Sequence, residues 1–241
     1  YSSDLFKFEH SHKIFEELKK ISPENTHNMW QWFVALSEVP HGSGKLDQAI
    51  EWYLKVGKML NGEVKKDHLG NISMKFPASK GKENEKGVVL QGHIDMVCTK
   101  TADHVFNFEK DPIKMLIEGE WLTADKTTLG GDDGIGVAAG LAVAEDKDLV
   151  HGPIEVLLTT DEEIGLIGAA GLKEGELLSE NSKYLLNIDS EDWGEICISC
   201  AGAIMRKVNI PVVREKINKE LKVIELKLKN FVGGHSGVEI P

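Results

Sequence analysis

VVLQGHIDMV (88–97) begins as an unbroken apolar run and ends in a histidine and an aspartate two residues apart. The run Val88-Val89-Leu90 reads as a strand buried on both faces, as in a sheet covered on each side. Its polar end, Gln91-Gly92-His93-Ile94-Asp95, puts His93 and Asp95 on one face of an extended segment. Downstream, GIGVAAGLAVAED (134–146) is small and apolar and reads as a helix lying close on that sheet. Ile154–Thr160 and Tyr184–Ile188 read as second and third buried strands, with a helix expected over 164–173 and a fourth strand over 194–200. This alternation specifies an α/β domain: a mostly parallel sheet sandwiched by helices.

Upstream, three helices are expected. Ile14, Phe15, Leu18 and Ile21 share one face of the first; Met29, Phe33 and Leu36 line the second, which Asn25 or Thr26 would cap and Pro40 would stop. Leu46, Ile50, Leu54 and Leu60 mark the third. Short strands are expected near 63–67 and 71–76, and a hairpin over 113–123 turning at Glu118-Gly119. After Ala201 the pattern changes: 203–213 and 221–230 alternate apolar with charged residues, as in a sheet with one wet face. Residues 1–201 are therefore expected to form one domain, and residues 202–241 to begin a smaller α+β domain, too short for a core of its own and so continuing past Pro241.

The 241 residues are 41% hydrophobic, enough for a full core. Lys and Arg number 28 against 39 Asp and Glu, a formal charge of −11. Such a surface repels phosphate backbones and anionic membranes, so neither nucleic acid nor membrane is an expected partner. No apolar run approaches a membrane span, and the first thirty residues lack the basic-then-apolar form of a signal peptide. Cys98, Cys197 and Cys200 are too few for a disulfide scaffold, and Cys197-x-x-Cys200 sits in a strand-like alternation rather than at a helix start. The expected compartment is the reducing cytoplasm.

In open α/β sheets, ligands bind at the carboxyl ends of strands. Here those ends read His93-Ile94-Asp95, Thr160-Asp161-Glu162-Glu163 and Ile188-Asp189-Ser190-Glu191, with the glycine loop Leu129-Gly130-Gly131-Asp132-Asp133-Gly134 between them. Each has a bland explanation alone: His93 as a satisfied core histidine, Glu162 and Glu163 as a solvated helix start, Asp189 as a turn cap. Together they do not, because so many carboxylates in one place repel and desolvate each other at a cost of roughly several kcal/mol. Two divalent cations remove that cost. Histidine and carboxylates without thiolate suit catalytic zinc, and also manganese or cobalt.

Four stretches, LQGHIDMV (90–97), TLGGDDGIG (128–136), TTDEEIGLIGA (159–169) and NIDSED (187–192), resemble the aminoacyl-histidine dipeptidases. These are a branch of the co-catalytic zinc peptidase superfamily, which also holds carboxypeptidases, tripeptidases and deacylases. The resemblance runs from about Met29 to Pro241 and implies two zinc ions and a small peptide substrate. It implies His93 and Asp189 as ligands of one zinc, Asp132 as the bridge, Glu163 as a ligand of the second, Glu162 as general base, and Asp95 as the carboxylate orienting His93. Gly233-Gly234-His235-Ser236-Gly237 is similar to a lid motif whose histidine binds the substrate or its oxyanion, although a glycine-flanked histidine is often only a loop residue. A homodimer through the lid is also implied. The family's last ligand, a histidine near the far C-terminus, would lie beyond Pro241, so residues 1–241 alone are expected not to turn over. His41 stands where many relatives carry Arg and has no assigned role. A tripeptidase, an N-acyl amino-acid deacylase and a non-catalytic metal-binding module are the competing readings.

Overall fold

The structure, a computed structural model, describes residues 5–190, 194–199, 207–213, 216 and 224–227. The chain divides into two units, 1–191 and 192–241. The expected boundary at 201/202 and the loop around His235 lie outside the described residues.

The first unit opens with α1 (Glu9–Ile21), whose apolar spacing buries Ile14, Phe15 and Leu18, while Ile21 is left exposed at the helix end. The Glu38 carboxylate takes the free backbone N–H groups of Lys7 and Phe8 just ahead of this helix. A short 3-10 turn leads into α2 (His27–Leu36). Neither Asn25 nor Thr26 caps it through a side chain: the Thr26 hydroxyl donates instead to Pro23 O. Next come α3 (Asp47–Met59), β1 (Glu63–Lys66), β2 (Ile72–Phe76) and β3 (Gly87–His93). The expected hairpin is β4 (Met115–Glu118) with β5 (Trp121–Ala124). It is followed by α4 (Gly131–Glu145), β6 (Ile154–Thr159), α5 (Ile167–Ala170) and β7 (Ser182–Asn187).

The main sheet has the order β1-β2-β6-β3-β7. β3 runs parallel to both β6 and β7, whereas β1–β2 and β2–β6 are antiparallel. The sheet is thus mixed, not mostly parallel. The link Asp67–Asn71 is far too short for a crossover, which needs about a dozen residues, so β1 and β2 can only form a hairpin.

α4 explains the small residues of 134–146: Gly134 lies against Phe33 and Leu36 of α2, and Val137, Ala138 and Leu141 are buried over β3 and β6. Trp32, Phe33, Ile72, Met74, Val156 and Leu158 complete this main core. Each such side chain contributes about 1.5–3 kcal/mol on burial. On the other face, Val89 and Leu157 pack under Leu172, Leu177 and Leu178. That cover is mostly irregular chain: the helix expected over 164–173 is reduced to the four residues of α5. β7, expected as a buried strand, is the sheet edge among the described residues, with Tyr184, Leu185 and Leu186 about half exposed.

In the second unit the described residues form no helix or strand, including 194–199, where a fourth strand was expected. Among the described residues no helix is long and apolar enough to cross a membrane.

Candidate metal centre

Because β6, β3 and β7 are parallel neighbours, their carboxyl ends fall side by side, with β3 in the middle. His93, the last residue of β3, is therefore central, and it is only 1% exposed. Its backbone N–H donates to Asp133 Oδ2 at 3.2 Å. Its ring Nδ1 lies 2.9 Å from the main-chain oxygen of Asp95 and 3.4 Å from Asp95 Oδ1. A carbonyl oxygen can only accept, so Nδ1 carries the hydrogen. Nε2 then faces Asp132 Oδ1 at 2.9 Å and Asp189 Oδ2 at 3.9 Å. His93, Asp132 and Asp189 each offer a ligand atom within 4.8 Å of the others, and so do His93, Glu162 and Glu163. The five side chains that sequence placed at separate strand ends and in the glycine loop thus come together.

Asp132 and Asp133 open α4 with non-helical backbone angles, and the helix proper starts after them. Their side chains diverge: Asp132 is half exposed toward His93, whereas Asp133 is buried beneath it. Asp95 does more than the orienting role expected of it. Its carboxylate accepts the backbone N–H of Glu162 at 2.9 Å and of Glu163 at 3.3 Å, joining the end of β3 to the loop after β6.

Ser43 was not singled out from sequence, yet its hydroxyl donates to Asp95 Oδ2 at 2.7 Å. The neighbouring Gly44 N–H donates to Asp161 Oδ1 at 2.7 Å. The loop VPHGSG (39–44) is therefore a brace of the site. The only hint in sequence is the turn chemistry of His41-Gly42-Ser43-Gly44.

The electrostatics of the cluster favour positive charge. Burial pushes Asp133 up to about 8, aided by Asp189. Burial also raises Asp189 to about 6, with Asp132 and Glu162 adding to it against the pull of His93. Glu163 is raised by burial and by Asp132. Burial alone would lower His93, but hydrogen bonds with Asp95 and Asp132 and the charges of Asp189 and Asp133 outweigh it and hold the ring up to about 10. Asp95 goes the other way: burial opposes ionisation, yet hydrogen bonds from His93, Ser43 and the Glu162 N–H keep its carboxyl low.

The residues fit divalent cations. With Nδ1 committed to a carbonyl, Nε2 and Asp132 Oδ1 are two acceptors in contact, which requires a proton or a cation between them. The oxygen-and-nitrogen donor set without thiolate is of the type that holds zinc at catalytic positions. A second group, Asp67, His68 and Glu176, also brings ligand atoms within 4.8 Å of one another. There both Asp67 oxygens are already engaged, by the N–H groups of Leu69 and Asn71 and by the Asn71 amide. A hollow of about 590 Å³ lined by Met59, Phe76, Glu145 and His151 lies at the opposite ends of the strands and includes none of the central cluster.

Residues 71–222 match the sequence profile of Peptidase family M28, more than half of the chain, and the chain belongs to that family. It is 44% identical over 224 residues to the cytosol non-specific dipeptidase of Escherichia coli (strain K12), a match covering 93% of this chain and 45% of that protein. Peptidase T of Citrobacter koseri is 32% identical over 122 residues, 48% of this chain and 28% of its own length. Among solved structures, the aminoacylhistidine dipeptidase of Vibrio alginolyticus superposes with a TM-score of 0.67 at 44% identity, covering 73% of this chain and 36% of that one. A tripeptidase from Staphylococcus aureus shares the fold at a TM-score of 0.57 and 23% identity, over 68% of this chain and 43% of its own. The chain thus spans less than half the length of these relatives. The likeness to aminoacyl-histidine dipeptidases read from four motifs is borne out, as is the α/β layout of a zinc-peptidase catalytic domain.

Proposed function

We propose that this chain is the metal-binding part of a cytoplasmic dipeptidase that hydrolyses Xaa-His dipeptides with two divalent ions, most simply zinc. The observation that carries the reading is the convergence of His93, Asp132, Asp189, Glu162 and Glu163 at three adjacent strand ends. The names and 44% identity of the two dipeptidase relatives support the substrate class. In this reading His93 and Asp189 would hold the first ion, Glu163 the second, and Asp132 would serve both. Such ions, when bound, acidify water and polarise a carbonyl. Asp95 fixes the His93 ring through its own main-chain oxygen and sets the backbone of Glu162 and Glu163 through its carboxylate. Glu162 receives the proton of the attacking water on its carboxylate oxygen and passes it to the leaving amine nitrogen. Residues 202–241 begin the lid, and His235 on it contacts the substrate. The lid also carries the homodimer contact.

The test is hydrolysis by the full-length protein of an Xaa-His dipeptide, a tripeptide and an acetylated amino acid, each with and without EDTA. Hydrolysis of the dipeptide, abolished by EDTA, is expected. Glu162→Gln should lower kcat by about 10²–10⁴ while the zinc content stays the same. Preference for the tripeptide or the acetylated amino acid would replace this reading with the tripeptidase or deacylase alternative. The dipeptide is favoured because the peptidase T match is weaker and covers about half as much of this chain as the dipeptidase match.

A further inference from the structure

Glu162 and Glu163 sit on a tight loop between β6 and α5, and the loop is held in an uncommon shape. Asp161 and Leu166, one on each side of the pair, have φ of 53° and 58°, the left-handed region that side chains disfavour. Gly165 and Leu166 both donate backbone N–H to Glu162 O, at 2.9 Å each. Such a conformation persists only where surrounding contacts impose it.

Asp95 and Gly44 hold the middle of the loop, and its two feet meet at one side chain. Asn71, at the entry to β2, is fully buried. Its Oδ1 accepts the Thr160 N–H at 3.0 Å and the Thr160 hydroxyl at 3.3 Å. Its Nδ2 donates to Gly168 O at 2.9 Å and to Asp67 Oδ2 at 2.7 Å. Thr160 and Gly168 are the two feet of the loop, and Gly168 N–H closes on Thr160 O at 2.9 Å. A flipped amide would set oxygen against the Asp67 carboxylate and Gly168 O, so only one orientation satisfies all four partners. Asp67 enforces it, because its Oδ1 is pinned by the N–H groups of Leu69 and Asn71. Gly168 must be glycine here, since a Cβ would collide with Asn71 Oδ1 and the Thr160 backbone.

We propose that Asn71 is a positioning residue: it clamps the feet of the 160–168 loop and thereby sets the Glu162–Glu163 pair against His93. This rests on the reading that the pair serves a metal centre. The Asn71 side chain bonds to Thr160, Gly168 and Asp67, none of them a side chain of the cluster around His93, so it acts through the loop.

The test is Zn²⁺ titration of the full-length protein and of its Asn71→Ala and Asn71→Ser variants by calorimetry, below each protein's unfolding midpoint. Hydrogen exchange is followed in parallel. Both variants are expected to bind Zn²⁺ about 10–100-fold more weakly, as outer partners of metal sites do when removed. Exchange should rise at the amides of Leu166, Ile167 and Gly168 and stay unchanged in β3. A merely structural role would lower the unfolding midpoint and leave Zn²⁺ affinity of the folded variants alone, and that result overturns the proposal. Serine, which keeps one hydroxyl in place of the amide, serves as the milder variant if alanine does not fold. Absence of Zn²⁺ uptake by the unsubstituted full-length protein would instead remove the metal reading, and this proposal with it.

Discussion

A buried imidazole between acceptors has little freedom: with Nδ1–H given to the Asp95 carbonyl, whatever sits at Nε2 must be positive or carry a hydrogen. The fixed tautomer makes His93 a preformed ligand, and its supports then decide how well it works. Asp95 is the chief support, since it touches the His93 ring, the Glu162 and Glu163 backbone, and the Ser43 hydroxyl. Removing that hydroxyl leaves a buried carboxylate oxygen short of a donor. Ser43→Ala is therefore expected to weaken Zn²⁺ binding by about tenfold, at the low end for outer partners of metal sites. It should also cost about 1.5–3 kcal/mol of stability, the range for a hydrogen bond to a charged group. Ser43→Thr, which keeps the hydroxyl, should restore most of both. Calorimetric Zn²⁺ titration with urea unfolding checks this, and an alanine variant that binds like the parent would show that Ser43 only lines the loop. Sequence pointed to His93, Asp132 and Asp189 because their side chains carry the chemistry. It could not show that Asp95 works partly through its main-chain oxygen, since every residue has one.

At the level of elements, apolar runs revealed β3 and β6 because these strands are buried on both faces. The same signal misled for β7, since Tyr184-Leu185-Leu186 reads identically at a sheet edge and in its middle. It misled for 164–173 as well, where Gly165 and Gly171 bracket a segment that manages only one helical turn. The antiparallel β1–β2 pair followed from a link length that an alternation of strands and helices does not weigh. α4 was legible in kind, and its glycines separate two physical roles. A Cβ at Gly136 would strike the Asp133 carboxylate and the Ile188 backbone, whereas one at Gly140 would meet Val156 and Leu90 at 3.6 and 3.8 Å, ordinary contact. Gly136→Ala should thus destabilise by about 1–3 kcal/mol through overpacking. Gly140→Ala should stabilise by about 0.4–1 kcal/mol by restricting the unfolded chain. Chemical denaturation of the two variants distinguishes them, and equal effects would contradict the close seating of α4 on the sheet.

For the molecule as a whole, the cluster makes stability depend on pH in a direction that can be stated. A group whose pKa is higher in the folded chain stabilises it fully below the unfolded value, and the gain is lost as pH rises through the folded value. His93 moves from an ordinary 6.5 to about 10, Asp133 from 3.8 to about 8 and Asp189 from 3.8 to about 6. Between pH 6.5 and about 8 the first two therefore act together against the metal-free fold, and from about 8 to 10 His93 does so alone. The net charge of −11 adds self-repulsion of the same sign as cations are lost. Burial holds His41 below its ordinary value, so it costs stability only as pH falls below 6.5 and does not blur this window. The unfolding midpoint of the metal-free chain should thus fall steadily from pH 6.5 to 10. A divalent ion supplies the charge that the departing protons took away. At pH 8, Zn²⁺ at about 100 times its Kd should add about 2.7 kcal/mol, or about 5–10 °C in midpoint. The gain should be larger at pH 8 than at pH 6, where protons still compete for His93 and the carboxylates. Differential scanning calorimetry with and without Zn²⁺ at the two pH values measures this, and a metal-free midpoint that stays level or climbs above pH 6.5 would mean that the carboxylates around His93 are not held together as described.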